Sequence, residues 1–260
     1  MLKRNRNSHK GDHGRVMIIG GSEMFYGAPI LSSLGAEATG VDLIFPYLPP
    51  QHSEAAKQYS LNFILSTFKK SHLSSADVKS ILRMSEKMQA VVIGPGLGTH
   101  KETQAAVKTL LSELQIPTVV DASGLFYTNK LPKTCVMTPH QGEFKELTGK
   151  EATPENIQQA ANDLGVVMLC KGSKDVIAHQ EDVAINDTGN PLMTVGGSGD
   201  VLSGVVAGLL AQGMNAFEAA HQAVRLLAIA GERLAETQGS LRAMDLVYQI
   251  PQLVQQELMN

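Results

Sequence analysis

Cysteine is nearly absent from this chain of 260 residues, which has only Cys135 and Cys170. Each lies inside a strand-like apolar run (KTCVMTP and VVMLCKG), and no CxxC pair is present, so a disulfide framework is excluded. Two core thiols in a reducing cytoplasm is the expectation. Long apolar runs are missing too: the longest are broken by glycine and too short to span a bilayer. The opening MLKRNRNSHKGDHG is basic but has no apolar core of the signal-peptide kind, and His9 and His13 within it read as solvated. An excess of positive charge is also lacking. With 22 Lys and Arg against 25 Asp and Glu, the net charge is −3, which argues against a general nucleic-acid binder.

Familiar nucleotide and hydrolase signatures are missing as well. There is no GxxxxGK[ST], no GxSxG elbow and no His/Cys cluster at zinc spacing. GPGLG follows an apolar run but lacks GxGxxG spacing and a partner acid. Repeats, low-complexity tracts and linkers are absent, so residues 1–260 are expected to form one domain.

What is present is an alternation. Short apolar runs (RVMIIGG at 15–21, VDLIFPYLP, AVVIGPG at 90–96, IPTVVDASG, KTCVMTPHQGE, LGVVMLCKG) are separated by stretches with helical spacing, such as KETQAAVKTLLSELQ. A small-residue helix is expected from about Ala28 to Thr39, and Pro46 and Pro49 are expected to close the second strand. This pattern predicts an α/β fold with a mainly parallel sheet. KDVIAHQEDVAIND reads as an antiparallel hairpin, and the chain from Gly199 onward reads as mostly helical. Residues 53–88 contain no interpretable motif.

In open α/β sheets ligands sit beyond the carboxyl ends of the strands. Those ends here carry GGSEMFYGAP, GPGLGT, DASGL, TPHQGE and KGSKD. The richest turn is TVGGSGDVLSG at 194–204. Glycines opening a helix leave backbone N–H groups free, and with the helix dipole they suit a phosphate. Gly204 and Gly208 would let that helix pack closely on a neighbour. Asp200 is open to two readings: an acid capping the helix, or a base that deprotonates a hydroxyl attacking a phosphoryl group. His140 could cap or bridge a loop or contact a ligand; Lys171 could be a solvated strand-end charge or a ligand contact. Asp121 ends a buried strand beside the expected cleft and has no assigned role.

Together, KGDHGRVMIIGGS, GAPIL, GPGLGT, VVDASGL, TPHQGEFKELTG and NDTGNPLMTVGGSGDVLSGVVAGLLAQG resemble, in order, the ADP- or ATP-dependent (S)-NAD(P)H-hydrate dehydratases. The resemblance covers about Lys10 to the end and implies a three-layer α/β/α ribokinase-like fold. It implies dehydration of hydrated NADH or NADPH driven by ADP or ATP with Mg²⁺, releasing phosphate and AMP or ADP. Residue by residue, it makes Asp200 the catalytic acid that activates the substrate hydroxyl. Ala28, Gly96, Gly98, His140 and Asp200 would hold the hydrated cofactor. Lys171, Gly172, Ser173, Lys174 and Asp175, with Gly197, Ser198 and Gly199, would line the nucleotide site. Glu143 would help place Mg²⁺ through water. Three positions depart from the family pattern: Ser198 stands where Thr is common, Ser123 where an acid is common, and Asp175 where Thr is usual. The resemblance also suggests a cytoplasmic homotetramer, with no membrane or nucleic-acid partner. An epimerase domain has no room in this length, so a separate epimerase would be the partner. A small-molecule kinase of the same fold, such as a thiazole kinase, and a non-catalytic nucleotide binder are the competing readings.

Overall fold

The computed structural model describes residues 2, 4, 6–127 and 130–259. Among these residues nine strands form one sheet: β1 (Arg15–Ile19), β2 (Leu43–Leu48), β3 (Ser66–Thr67), β4 (Ala90–Ile93), β5 (Thr118–Val120), β6 (Cys135–Met137), β7 (Val167–Cys170), β8 (Asp175–His179) and β9 (Asp182–Asn186). Their spatial order is β3-β2-β1-β4-β5-β6-β7-β8-β9. All neighbours from β3 to β7 are parallel, and β7-β8-β9 are antiparallel. The hairpin turns at Gln180, which adopts a φ of +52°.

Helices α1 (Gly27–Ala38), α7 (Ser198–Ala211), α8 (Ala216–Ala235) and α9 (Ala243–Leu258) cover one face. The other carries α3 (Ser75–Ser85), α4 (Lys101–Glu113), α5 (Gln141–Thr148) and α6 (Pro154–Leu164), while the short α2 (Ser53–Lys57) lies beyond β2. Alternation along each strand feeds two cores. Val16, Ile18, Val92, Val136 and Leu169 face the first set of helices; Met17, Ile19, Ile93, Met137 and Met168 face the second. A sheet covered on both faces needs near-continuous apolar strands, which explains RVMII and VMLC.

Pro46 does not close β2: it lies inside the strand, opposite Ile18. Tyr47 turns its carbonyl to Gly20 on the β1 side, whereas Ile44 and Leu48 accept from Ile64 and Phe68 on the β3 side. By alternation, the nitrogen of Pro46 faces the β3 side. That is the edge of the sheet, where a missing N–H costs no ladder bond to β1.

The first helix of the sequence reading begins one residue earlier than expected, at Gly27, and packs along α7. The contact is close because a side chain at Gly204 would overlap the Ser32 carbonyl, and one at Gly35 would overlap that of Val201. The Ser32 and Ser203 hydroxyls meet across it at 3.2 Å. This pairing fixes the height of the α7 N-terminus above the sheet.

Candidate active site

Strand order reverses between β1 and β4, which opens a crevice at their carboxyl ends. Gly21 donates to the Pro95 carbonyl across it at 2.8 Å. Gly96 and Gly98 both take left-handed backbone (φ +67° and +70°). A Cβ on Gly96 would sit 2.9 Å from that of Phe25 and 3.2 Å from that of Ala28. Ala28, Gly96 and Gly98 are therefore one group around the switch point. Met24, Phe25 and Tyr26 rise beside them as an exposed apolar rim.

A second group lies at the ends of β5, β6 and β7. Asp121 follows β5 and is buried, and Lys171 follows β7 and places its ammonium 2.9 Å from the Asp121 carboxylate. Between them Thr138, just after β6, donates its hydroxyl to the same carboxylate oxygen at 2.8 Å. The sheet itself makes this triad, since three adjacent parallel strands end side by side. Burial works against the Lys171 charge, but the charge and hydrogen bond of Asp121, with the Glu143 and Asp200 charges, together hold the ammonium above the usual amine range. Lys171 is thus an enclosed, paired cation and not a solvated strand end.

His140 and Lys171 form a parallel bridge, and the Lys171 N–H donates to the Pro139 carbonyl at 2.8 Å. His140 caps α5: its Nδ1 accepts from the Glu143 N–H at 3.0 Å, and the Glu143 carboxylate accepts from the His140 N–H at 2.8 Å. The rest of the His140 ring remains exposed. One oxygen of Glu143 is committed to this reciprocal cap. Among the described residues, no three His, Cys, Asp or Glu side chains are grouped so that they could hold a metal.

The loop from Lys171 to Asp175 joins β7 to β8. Gly172, Ser173 and Lys174 are exposed. Asp175 accepts from the Gly172 N–H at 3.0 Å and from Asn186 at 3.3 Å, which pins the loop. Burial raises the Asp175 carboxyl above its usual range, although those donors oppose the shift.

The glycine turn crosses both groups. Gly197 is the N-cap of α7 with φ +96° and lies against Leu31 of α1, leaving no room for a side chain. Gly199 lies over Lys171, since a Cβ there would be 3.2 Å from the ammonium nitrogen. Among the described residues no side chain caps this 14-residue helix; the Ser198 N–H meets the Val195 carbonyl at 3.4 Å, and the Gly199 and Asp200 N–H groups lie at the positive end of the dipole. Asp200, the third residue of α7, is half-buried, and among the described residues its carboxylate accepts no hydrogen bond. The helix-cap reading of Asp200 therefore fails. Burial first, then the Asp121 and Glu143 charges, push its pKa up to about 7, with Lys171 acting the other way. A carboxyl of that pKa, free of structural bonds, is suited to take a proton near neutral pH.

The structure thus joins Asp121, Thr138 and Lys171 by hydrogen bonds, sets Gly199 over Lys171 and brings the Asp121, Glu143 and Lys171 charges to bear on Asp200, while Ala28 and Gly96 meet at the neighbouring switch point. Thr138 carries no signal of its own in the sequence, and Asp121 shows there only as the end of a buried strand. Both lie at strand ends, but pairing Asp121 with a lysine 50 positions on requires knowing that β5, β6 and β7 are neighbours.

The sheet order, the helix layers and the turn at α7 define the class. A ribokinase-like superfamily protein of Enterococcus faecalis superposes with a TM-score of 0.90 at 26% identity, over 98% of this chain and 91% of its own. The ADP/ATP-dependent NAD(P)H-hydrate dehydratase of Bacillus subtilis, co-crystallised with ATP/Mg²⁺, does so at 0.86 and 25% identity, over 98% and 94%.

Within that class, a family profile described as NAD(P)H-hydrate dehydratase matches residues 16–252, and the chain belongs to this family. It is 33% identical to an ADP-dependent (S)-NAD(P)H-hydrate dehydratase of Cenarchaeum symbiosum, over 96% of this chain and 92% of that protein. It is 39% identical to a bifunctional NAD(P)H-hydrate repair enzyme of Pyrobaculum aerophilum, over 96% of this chain and 52% of that protein. It spans about half of such bifunctional relatives.

Proposed function

We propose that the protein dehydrates the S-epimer of hydrated NADH or NADPH, using ADP or ATP to phosphorylate the added hydroxyl. The observation that carries this reading is the unbonded Asp200 carboxyl, poised near pH 7 beside the N-terminus of α7. ADP is favoured, because the archaeal relatives that the chain covers almost fully are named as ADP-dependent.

The hydrated nicotinamide would lie against Ala28, Gly96, Gly98 and His140, with its hydroxyl toward Asp200. The phosphates would lie on the N–H groups of Gly197, Ser198 and Gly199, with the adjacent loop from Lys171 through Gly172, Ser173 and Lys174 to Asp175 enclosing the rest of the nucleotide. Asp200 takes the hydroxyl proton, the oxygen attacks the terminal phosphorus, and the P–O bond to AMP (or ADP) breaks. Lys171 and the α7 N–H groups stabilise the charge that develops on the transferring group. Hydroxide is a poor leaving group and phosphate a good one. Loss of phosphate together with a proton from the neighbouring ring carbon restores the double bond.

Mg²⁺ fits this site as a companion of the nucleotide. Phosphate oxygens and water would supply most of its ligands, with Glu143 as the carboxylate that would reach it through water. When bound, it neutralises phosphate charge. The same reading makes the protein a cytoplasmic homotetramer that is functionally paired with an NAD(P)H-hydrate epimerase. Among the described residues no helix is long and apolar enough to cross a membrane.

The test is incubation with hydrated NADH plus ADP or ATP, following NADH absorbance and free phosphate. Recovery of NADH with stoichiometric phosphate is expected. A stable phosphorylated product without NADH would instead make the protein a kinase.

A further inference from the structure

At the opposite end of the sheet, a cavity of about 380 Å³ opens between the amino ends of β1 and β2 and the last turn of α3. Leu43, Phe45 and Met88 are among its apolar lining, and Arg15, Arg83 and Lys87 are its charged residues. Among the described residues no acidic side chain lines it. Arg83 lies in the last turn of α3 and Lys87 in the turn just after it, and both are exposed. Arg15 is half-buried, and its Nε has no hydrogen-bond partner although it is shielded from solvent. Among the described residues none of the three forms an ion pair.

The acids nearby do not neutralise this cluster. Asp42 precedes β2 but turns its carboxylate to the Gly11 and His13 N–H groups, at 2.7 and 3.0 Å. Glu86 is exposed and does not line the cavity. The Arg15 guanidinium lies against Gly11, which shields its Nε, and three cations without ion pairs around an apolar floor suit an anionic ligand. That ligand is an anion whose charged head meets Arg15, Arg83 and Lys87 while an aromatic or aliphatic body lies on Phe45, Leu43 and Met88. The volume is within the range of small-molecule sites.

We propose that this cavity is a second ligand site, separate from the catalytic cleft, for a small phosphorylated compound with an aromatic body, of mononucleotide size. The two sites cannot share one such ligand. Arg15 and Ile19 open and close β1, so the cavity lies roughly 13 Å below the crevice, at about 3.3 Å per residue.

The probe is AMP, titrated calorimetrically against the full chain and against the double variant Arg83→Gln/Lys87→Gln. Both positions are exposed and outside the catalytic cleft, so turnover and the thermal midpoint should stay unchanged. One component of AMP binding is expected to weaken at least about tenfold in the variant, the effect of losing charged hydrogen bonds. Because the readout is the component that the substitutions remove, it does not depend on whether AMP also binds the catalytic cleft. Inorganic phosphate, titrated in parallel, should bind that component much more weakly than AMP. Identical AMP isotherms for the wild type and the variant would overturn the proposal. So would a component that takes phosphate as well as AMP, since the apolar floor would then contribute nothing.

Discussion

Replacing Asp200 with Asn should stabilise the protein while removing its activity. In the unfolded chain the carboxyl titrates near its ordinary value of 3.8, but in the fold it titrates at about 7. Between those values the folded state holds a proton that the unfolded state has released. Stability therefore falls as pH rises through this window, and below about pH 4 the group contributes no pH dependence. At 1.36 kcal/mol per pH unit, the span from 3.8 to about 7 corresponds to about 4 kcal/mol. Asp200 is half-buried, and screening by water at the cleft reduces this to about 2 kcal/mol. Asn keeps the shape and carries no charge, so Asp200→Asn should gain about 2 kcal/mol at pH 8, or about 4–8 °C in melting midpoint. At pH 4 the gain should vanish. Turnover should drop about 10²–10⁴-fold as the base is lost, whereas wild-type turnover should rise with pH through about 7. The assay is chemical denaturation of both proteins from pH 4 to 9, with NADH recovery measured in parallel. A variant no more stable than wild type at pH 8, or one that keeps near-normal turnover, would refute the reasoning.

Other expectations follow from the same geometry. Asp121→Asn leaves the enclosed Lys171 ammonium without its counter-charge and should cost about 3–5 kcal/mol in urea denaturation. Adding Lys171→Met should recover part of that loss. Gly204→Ala places a methyl group on the Ser32 carbonyl, so it should destabilise by at least about 1–3 kcal/mol. By shifting α7 it should also lower turnover in the folded fraction. The two thiols are buried and pushed up to about 12 by desolvation. Iodoacetamide at pH 8 should therefore label neither in the native protein and both in denaturant, as read by mass spectrometry.

Much of the fold was legible along the chain. Apolar runs bounded by glycine and polar turns marked β1, β2 and β4 through β7, and the two runs around HQED marked the hairpin. β3 was not legible, because two residues pairing with Tyr47 and Leu48 leave no periodic signal. Pro46 misled, since its tolerance depends on which neighbour its nitrogen faces and not on the residue itself. His140 shows a mixed outcome: a histidine before a helix is a plausible cap, and it is one, yet most of its ring stays exposed.

By itself, then, the sequence determined the strand and helix alternation, the family and the glycine turn that presents Asp200. These are local properties, set by side-chain type and backbone freedom within a few residues. Tertiary structure alone decided that Asp121, Thr138 and Lys171 meet, that Asp200 forms no cap, and that Arg15 comes beside Arg83 and Lys87. Each depends on which strands lie side by side and at which end of the sheet they finish. The charge felt by Asp200 is therefore a property of strand order, which no single stretch of the chain encodes.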